Sequence, residues 1–434
     1  MPPQCSALGN SARKEISFKQ VTFIKINLYI YLLFTKNTMD QLQAKSAKKL
    51  AVASATFNRY LHDLIDWKSR LIGIKGARGA GKTTLVLQHL ASHPAPSQDK
   101  LYVSLDDLYF SENSLVSLAD AFAKQGGKIL IVDEVHRYRN WSQEIKNIHD
   151  DHPDLQVIFT GSSMIHINQS KADLSRRAVI YELWGLSFRE YLNLSVGKNY
   201  PAIKLDELLK NHTSIATSVS SEVKPLRYFR DYLIHGYYPY FLEGPNLYAE
   251  KLMNTLLLSV ENDLPALYEV QYSTVIKIKQ LLAIISESVP FKPNVAKLSE
   301  RVGATRNSLN TYFHYLHDLR AITLLTSASK GISQLQKPEK IFLYHPNLHH
   351  ALSSKPETGA MRESFFVNQV STVLSVNYSP EADFLVNKQW TFEVGGPDKT
   401  LRPMKRAKQA FVAADGIEIG FNQKIPLWLF GFLY

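Results

Sequence analysis

The segment from Gly76 to Thr84 has the residue types and the spacing that hold a phosphate chain. It matches the pattern G-x-x-x-x-G-K-S/T, the P-loop, whose glycines let backbone N–H groups converge on phosphate oxygens without Cβ clashes. We expect Lys82 to reach the β- and γ-phosphates and Thr83 to bind Mg²⁺. The loop lies between a short apolar strand, Leu71 to Ile74, and a helix whose N-terminus faces the anion. The predicted nucleotide-binding residues are Gly76, Ala77, Arg78, Gly79, Ala80, Gly81, Lys82, Thr83 and Thr84.

An apolar run from Lys128 to Val132 ends in two acidic residues, Asp133 and Glu134. After a P-loop this is the Walker B pattern, in which Asp133 would hold Mg²⁺, directly or through water. Glu134 would then polarise the water that attacks the γ-phosphate. An apolar strand that ends in acids is ambiguous on its own, because ordinary strands also end at polar residues. Together with the loop it predicts ATP hydrolysis, with Lys82 and Glu134 as catalytic residues.

Two further groups are candidates for sensing or stabilising the γ-phosphate. A third strand, Leu155 to Phe159, precedes Ser162 and Ser163, and hydroxyls at the carboxyl end of a central strand lie beside that phosphate. We name Ser162 as the sensor, with Ser163 and an ordinary turn as the alternatives. Arg176 and Arg177 precede another strand, and a guanidinium suits a transition-state phosphate. Supplied by a neighbouring subunit of a homo-oligomer, Arg177 would be an arginine finger; the alternative is a solvent-facing basic pair.

These motifs resemble one known family. Besides the P-loop, the chain carries Val-Asp-Glu-Val-His-Arg-Tyr (132–138), Phe-Thr-Gly-Ser-Ser (159–163), Leu-Ser-Arg-Arg (174–177) and Leu-Ser-Phe-Arg-Glu-Tyr-Leu (186–192). Together they resemble prokaryotic AAA+-type ATPases whose core precedes an uncharacterised, nuclease-like C-terminal domain. The resemblance covers most of 45–434 and implies ATP binding and hydrolysis. The family usually has Leu-x-Gly-Arg at 174–177, which puts Arg177 on the family arginine.

Length and composition limit the class of protein. The 434 residues are 45% hydrophobic and 21% charged, which excludes a disordered chain, a collagen-like chain and a coiled-coil rod. A single cysteine, Cys5, excludes a disulfide framework and a zinc ribbon, and favours a reducing, cytoplasmic setting. The net charge of +11 makes an acidic partner such as nucleic acid a reasonable expectation.

The first 38 residues differ from the rest of the chain. Their apolar run, Val21 to Thr35, is interrupted by Lys25 and is shorter than the about 20 residues that a bilayer span needs. We interpret 1–38 as a non-native or disordered extension and Met39 as the true start, at a helix predicted from Asp40 to Trp67. The alternative is a membrane-targeting segment. Since no other stretch reaches transmembrane length, we expect a soluble protein with no membrane partner.

Residues 191–270 are predicted to be mostly helical. Short helices are expected at 188–194, 205–209, 225–233 and 248–263, and the Ser/Thr-rich stretch 213–222 predicts a loop or linker. The residues His-Gly-Tyr-Tyr-Pro at 235–239 resemble a Gly-Gly-Phe-Pro turn of the same family. The resemblance implies a small helical lid over the nucleotide.

Residues 271–345 have the element order of a winged helix. Helices are predicted at 273–286, 295–302 and 306–319, followed by strands at 321–325 and 340–344. The residues expected to face a DNA groove are Arg306, Asn307 and Asn310. Other residues of the same helix suit protein packing equally well, namely Tyr312, Tyr315, Leu316 and Leu319.

Residues 346–434 carry a second set of acidic residues. Glu363 from a helix, and Asp383 and Glu393 from two strands, match the carboxylates of the PD-(D/E)XK nuclease arrangement, which hold Mg²⁺. Gly395 stands where that arrangement has lysine, so the pattern favours a degenerate nuclease fold; Lys388 or Lys399 is a candidate substitute. We expect the apolar end of the chain, 426–434, to dock into this domain.

The sequence therefore predicts an α/β fold. It has a P-loop NTPase, AAA+-like core (39–190), a helical lid (191–270), a winged-helix domain (271–345) and an α+β nuclease-like domain (346–434). The expected activity is Mg²⁺-dependent ATP hydrolysis that drives a switch engaging double-stranded DNA or a protein partner. The alternative is an ATP-regulated nuclease or defence effector that uses Glu363, Asp383 and Glu393. A scaffold with slow hydrolysis is a third option, against which Glu134 argues.

Overall fold

The computed structural model describes residues 39–53, 57–164, 174–288, 290–328, 338–401 and 409–434. The predicted extension, 1–38, lies outside these residues. Within the described ranges, no helix has both the length and the apolar character required to span a bilayer.

A five-stranded parallel sheet forms the centre of the first part of the chain, where the sequence predicts an α/β core. Its spatial order is β2-β3-β4-β1-β5, and every pair is parallel. The strands are β1 (Leu71–Gly76), β2 (Lys100–Ser104), β3 (Ile129–Asp133), β4 (Gln156–Ser162) and β5 (Val179–Glu182). The connecting helices are α2 (Lys82–Ser92), α3 (Leu115–Lys124) and α4 (Trp141–Asp151). Because all strands run the same way, their carboxyl ends, which carry the P-loop, Asp133, Glu134 and Ser162, meet at one edge.

The first helix is shorter than predicted. Helix α1 covers 39–51, whereas the prediction of a helix from Asp40 to Trp67 is wrong beyond that point. Arg59 is extended, and a one-turn 3₁₀-helix follows at Tyr60–Asp63. The reason is tertiary: the Tyr60 backbone N–H donates to Glu190 Oε1 at 2.7 Å, which a continuous helix would prevent.

Helices follow the sheet. They are α5 (Phe188–Val196), α6 (Leu205–Glu222), α7 (Pro225–His235), α8 (Tyr248–Leu258), a π-helical segment (Ser259–Asp263) and α9 (Leu264–Tyr268). The predicted loop at 213–222 is wrong, since these residues form the second half of α6. The hydroxyls of Ser214 and Thr217 bond to carbonyls three and four residues earlier, while Ala216 and Val219 are buried. Tertiary burial thus outweighs the weak helix propensity of Ser and Thr.

The next elements have the order predicted for a winged helix. They are α10 (Tyr272–Ser286), α11 (Val295–Val302), α12 (Arg306–Asp318), β6 (Ile322–Leu325) and β7 (Lys340–Leu343). The two strands pair antiparallel, and Phe291 adds an isolated bridge to Ile341. The buried residues of α12, among them Leu309, Phe313 and Leu316, face this small core.

The last part of the chain has its own mixed sheet, in the order β12-β11-β10-β9-β8. Its strands are β8 (Val376–Tyr378), β9 (Phe384–Val386), β10 (Trp390–Gly395), β11 (Ala410–Ala414) and β12 (Lys424–Pro426), and its helices are α13 (Asn347–Leu352) and α14 (Thr358–Ser371). The apolar end is buried as expected: Trp428 and Phe430 are 1% and 0% exposed. Phe430 packs on Phe366 and Phe392, at centroid distances of 4.9 and 5.5 Å.

Candidate functional site

The P-loop joins β1 to α2 and has the backbone that its glycines predict. Gly79 and Gly81 have φ values of +83° and +96°, in the region that residues with a Cβ rarely adopt. Lys82 Nζ donates to the carbonyls of Gly76 and Ala77 at 3.0 and 3.1 Å. Burial lowers the pKa of Lys82, and the nearby carboxylates of Glu134 and Asp133 oppose this. An ammonium group in such a loop fits a polyphosphate, whose oxygens would replace the two carbonyls.

The Asp133 carboxylate lies at the end of β3 and is 2% exposed. Its Oδ2 accepts from Thr83 Oγ1 at 2.7 Å and from the Tyr102 hydroxyl at 2.6 Å, and its Oδ1 accepts from Thr160 Oγ1. The Thr83 and Asp133 oxygens form the donor set that Mg²⁺ prefers, so the residues present fit the metal. Bound there, Mg²⁺ would neutralise phosphate charge.

Glu134 follows directly and turns away from the strand. It has φ +56°, and its N–H donates to Thr160 Oγ1 at 3.3 Å. Its carboxylate is 23% exposed, and one oxygen lies 3.3 Å from His136 Nε2. Glu134 therefore remains accessible to a water molecule, whereas Asp133 is enclosed. The enclosed Asp133 suits its predicted role as a metal ligand, and the accessible Glu134 suits its predicted role of polarising a water molecule.

The two predicted sensor serines have different partners. Ser162 pairs in register with Gly76 of the P-loop strand, and its Oγ accepts from the Met164 N–H at 3.4 Å. Ser163 Oγ instead donates to the carbonyl of Asp318 at 2.8 Å, at the end of α12. Both are buried, with exposures of 8% and 6%. The end of β4 therefore contacts both the P-loop strand and the helix predicted to face DNA.

Arg176 and Arg177 lie at the amino end of β5, away from the P-loop of their own chain. Arg177 makes a two-pronged ion pair with Asp150 on α4, at 2.8 and 3.0 Å. This pair lowers the pKa of Asp150. Arg176 is exposed. Neither guanidinium joins the other candidate residues within one chain.

Three residues that the sequence analysis did not single out belong to this site: Arg59, Tyr102 and Thr160. Arg59 is 5% exposed and bonds to the carbonyl of Ala80 in the P-loop at 2.5 Å and to Glu190 Oε1 at 3.0 Å. Burial raises the pKa of the Tyr102 hydroxyl, and the charge of Asp133 raises it further. The sequence held two usable signals: Glu190 lies within the motif at 186–192 and Thr160 within the motif at 159–163. Tyr102 reads as an ordinary strand residue.

The turn at 235–239, within the predicted lid, and the residue after it lie against the P-loop. A Cβ built on Gly79 would come within 2.8 Å of the Tyr240 ring, and one on Gly81 within 3.7 Å of Pro239. These residues follow α7, and Tyr240 stacks on Tyr248 of α8 with ring centroids 4.9 Å apart. The P-loop glycines therefore contact the helices that follow the sheet.

The C-terminal carboxylates lie together but are paired with lysines. Lys340 Nζ is 2.5 Å from Glu363, and Lys399 Nζ is 2.6 Å from Glu393. Burial, and then the charge of Asp383, raise the pKa of Glu363. Lys399 also lies against Gly395, where a Cβ would come within 2.9 Å of it. Of the two candidate substitutes, Lys399 thus occupies this space, while Lys388 is exposed in a turn.

No group of three or more His, Cys, Asp or Glu side chains in the described residues has the geometry to hold a metal ion. Glu363, Asp383 and Glu393 form no such metal-binding group in the observed arrangement, in which Lys340 pairs with Glu363 and Lys399 pairs with Glu393. The nuclease-like identity of 346–434 remains a prediction.

Two segments of the chain match known protein families, and the first of them contains the P-loop. Residues 68–192 match an AAA domain. Residues 226–359 match a domain of unknown function. The chain is similar to an uncharacterized protein of Methanocaldococcus jannaschii, with 24% identity over 391 residues, or 82% of each chain.

Two solved structures are also similar to the chain. One is AMPPCP-bound DnaA from Aquifex aeolicus (14% identity, 59% of this chain and 84% of that one, TM-score 0.27). The other is a DNA polymerase III γ subunit-related protein from Thermotoga maritima (12% identity, 60% and 96%, TM-score 0.25).

The matched AAA domain coincides with the parallel sheet, the P-loop and the acidic end of β3. It supports nucleotide binding and ATPase activity at this site. The segment predicted to be a winged helix, 271–345, falls within the match of unknown function, so its identity and its partner stay predictions.

The hydrogen bond from Tyr102 to Asp133 gives a testable prediction. We expect Tyr102→Phe to lower the free energy of unfolding by about 1.5–3 kcal/mol, because a buried carboxylate loses one of its donors. The measurement is urea unfolding of the nucleotide-free protein. The matched control is Tyr138→Phe, which removes a similar bond to the partly exposed Glu144 (2.9 Å) and should cost less. Equal losses in the two variants would contradict the assigned role of Tyr102.

Proposed function

We propose that this protein binds and hydrolyses ATP with Mg²⁺ and uses the nucleotide state to control its engagement of double-stranded DNA. The observation that carries the proposal is the contact of 2.7 Å between Thr83 of the P-loop helix and Asp133 at the end of β3. In this proposal Lys82 binds the β- and γ-phosphates, and Thr83 and Asp133 hold Mg²⁺. Glu134 polarises the attacking water and accepts its proton.

The route from the nucleotide to the rest of the chain is proposed to run through the end of β4. Ser163 bonds to the Asp318 carbonyl at the end of α12, and Tyr268 OH bonds to the Asp318 carboxylate at 2.7 Å. A change at the γ-phosphate that moves Ser162 would therefore reach α12 over two residues. Both contacts are short and partly buried, and closely packed regions transmit strain because they deform little.

The exposed face of α12 supports DNA over a protein partner. Tyr312, Leu316 and Leu319 are buried in the core of their own domain, with exposures of 8%, 0% and 7%. Tyr315 is half-buried against Tyr268, with ring centroids 4.6 Å apart. Of the three residues predicted to face a groove, Arg306 and Asn307 are exposed at the start of the helix and Asn310 is half-buried. The apolar residues that would suit a protein interface are thus used internally, and polar groups suited to phosphates and base edges remain outside.

The nucleotide base has a candidate position beside Arg59. A cleft of about 1230 Å³ opens there and includes Tyr60, Trp184 and Asn193 in its wall. Arg59 connects this cleft to the P-loop through its bond to Ala80. We propose that the adenine and ribose lie in this cleft, where aromatic side chains offer stacking.

A second candidate function is an ATP-regulated nuclease that uses Glu363, Asp383 and Glu393. Lys399 favours it, because its aliphatic chain lies beside Gly395 and its amine lies 2.6 Å from the Glu393 carboxylate. We rank it second, since both glutamates are paired with lysines and would need to be released before binding a metal.

The test is steady-state ATP turnover of the full-length protein with and without double-stranded DNA, with the DNA then run on a gel. We expect Mg²⁺-dependent turnover that DNA stimulates and DNA that stays intact. Lys82→Ala should lose ATP binding because the phosphates lose their main cation. Glu134→Gln should bind ATP and hydrolyse it at least about 100-fold more slowly, as expected for loss of a general base.

Three outcomes would contradict parts of the proposed function. Unchanged nucleotide affinity in Lys82→Ala would contradict the P-loop assignment. Turnover indifferent to DNA would favour a protein partner. Metal-dependent DNA cutting that is lost in Asp383→Ala would move the nuclease to first place.

We also propose that Arg177 acts as an arginine finger on a second copy of the chain. Arg177→Ala should then lower turnover by about tenfold or more at protein concentrations that allow self-association. Asp150→Ala is the matched control, since it breaks the ion pair and keeps the guanidinium, and it should retain turnover. Full turnover in Arg177→Ala at high concentration would contradict the finger role.

A further inference from the structure

The carboxylate of Asp263 contacts the P-loop from outside the matched AAA domain. Asp263 ends the π-helical segment Ser259–Asp263, and its side chain is 3% exposed. Its two oxygens lie 2.9 and 3.2 Å from Nη2 of Arg78, the third residue of the loop. Arg137, after the Walker B acids, comes within 3.9 Å of the same carboxylate. A residue of the segment 226–359 thus supplies the anion nearest to this P-loop arginine.

The same carboxylate reaches the hydrolytic side of the site through His136. The His136 Nε2 atom lies 3.7 Å from Asp263 Oδ1 and 3.3 Å from Glu134 Oε2. The side chains of His136 and Asp263 are each 3% exposed, so their contact is buried, whereas Glu134 on the other side of His136 is 23% exposed. Burial acts to raise the pKa of Asp263, but His136 and Arg78 outweigh it and the pKa lies below its ordinary value. Asp263 is therefore a charged group whose carboxylate contacts the P-loop through Arg78 and the surroundings of Glu134 through His136.

Nucleotide phosphates and the Asp263 carboxylate are competing partners for Arg78. A guanidinium binds a carboxylate or a phosphate through its N–H groups, and both Asp263 oxygens bond to the same atom of Arg78, Nη2. Phosphate oxygens that bind Nη2 would therefore replace Asp263 there. Arg78 lies on the loop that would receive the phosphates, and its side chain is 27% exposed. A ligand with several negative charges would therefore draw Arg78 away from a single carboxylate.

We propose that Asp263 is a latch, an internal anion that holds Arg78 until nucleotide phosphates displace it. This rests on the proposed ATP binding and names its regulation. When phosphates displace Asp263 from Arg78, the segment Ser259–Asp263, which joins α8 to α9, is no longer held against the P-loop. The same displacement removes the carboxylate partner of His136, the residue beside Glu134. Asp263 is a positioning residue in this scheme, because it acts through Arg78 and His136 and does not touch the substrate.

The latch has a thermodynamic consequence. A ligand that must first break an internal contact has a higher apparent dissociation constant. The increase equals the factor by which that contact favours the latched state, in which Asp263 holds Arg78. Removing the carboxylate should therefore strengthen nucleotide binding. A truly structural ion pair would have the opposite effect or none.

The experiment compares Asp263→Asn with Glu261→Gln in the full-length protein. Glu261 lies in the same segment, but its exposed carboxylate pairs with Lys279 and does not contact the site. The measurement is the dissociation constant of a non-hydrolysable ATP analogue with Mg²⁺ by calorimetry. We expect Asp263→Asn to lower it about five- to tenfold, within the usual range of coupling between sites, and Glu261→Gln to change it less than twofold. An unchanged or raised constant in Asp263→Asn would overturn the latch.

A double-mutant cycle separates the latch from a structural role. In an Arg78→Ala background, Asp263→Asn should change the dissociation constant by less than twofold, because the competing pair is already gone. A structural effect of Asp263 would persist in that background and contradict the proposal. If Asp263→Asn does not fold, hydrogen exchange of 259–268 in the wild-type protein replaces it. Exchange there should rise on adding the analogue with Mg²⁺, and saturation without a rise would also overturn the latch.

Failure of the latch is distinguishable from failure of the proposed function. Wild-type protein that does not bind the analogue at all contradicts both. Wild-type protein that binds it, with Asp263→Asn unchanged, contradicts the latch alone.

Discussion

The Asp133 carboxylate is held by hydroxyl groups from three separate elements, and the arrangement of the whole site depends on it. Thr83 comes from α2, Tyr102 from β2 and Thr160 from β4. Since β3 lies between β2 and β4 and all three run parallel, the register brings their carboxyl ends to the same buried point. A carboxylate that is 2% exposed needs such donors, because burial without them is costly. With Asp133 held in this way, Glu134 is directed away from the strand, toward His136.

The segment that follows the sheet contacts the P-loop core from two directions. Asp263 reaches Arg78 and His136, while Asp318 receives the hydroxyl of Ser163. The first contact lies beside the phosphate-binding loop, and the second lies at the strand expected to sense the γ-phosphate. A nucleotide that alters either side would therefore act on the same run of helices, α8 to α12. These two contacts are the physical basis of the proposal that the ATPase acts as a switch.

The sequence predicted those parts of the site whose chemistry is local in the chain. The P-loop glycines are required by a left-handed backbone, and Asp133 and Glu134 stand out because they end an apolar strand. Residues whose role depends on tertiary register were not predictable: Tyr102 reads as one more apolar strand residue, and Asp263 lies 185 positions from Arg78. Propensity also failed at 213–222, where burial of one helix face overrides Ser and Thr, and beyond residue 51, where a contact to Glu190 replaces the predicted helix.

In the proposed function, the nucleotide state controls how tightly the protein binds double-stranded DNA. The most direct measurement is the dissociation constant of the full-length Glu134→Gln protein for double-stranded DNA, with and without saturating ATP and Mg²⁺ at one fixed salt concentration. This variant is expected to hold ATP without turning it over, so the two states can be compared at equilibrium. The account predicts a difference of about tenfold between them, typical of coupled sites. Dissociation constants that agree within twofold, at full occupancy by ATP, would contradict it.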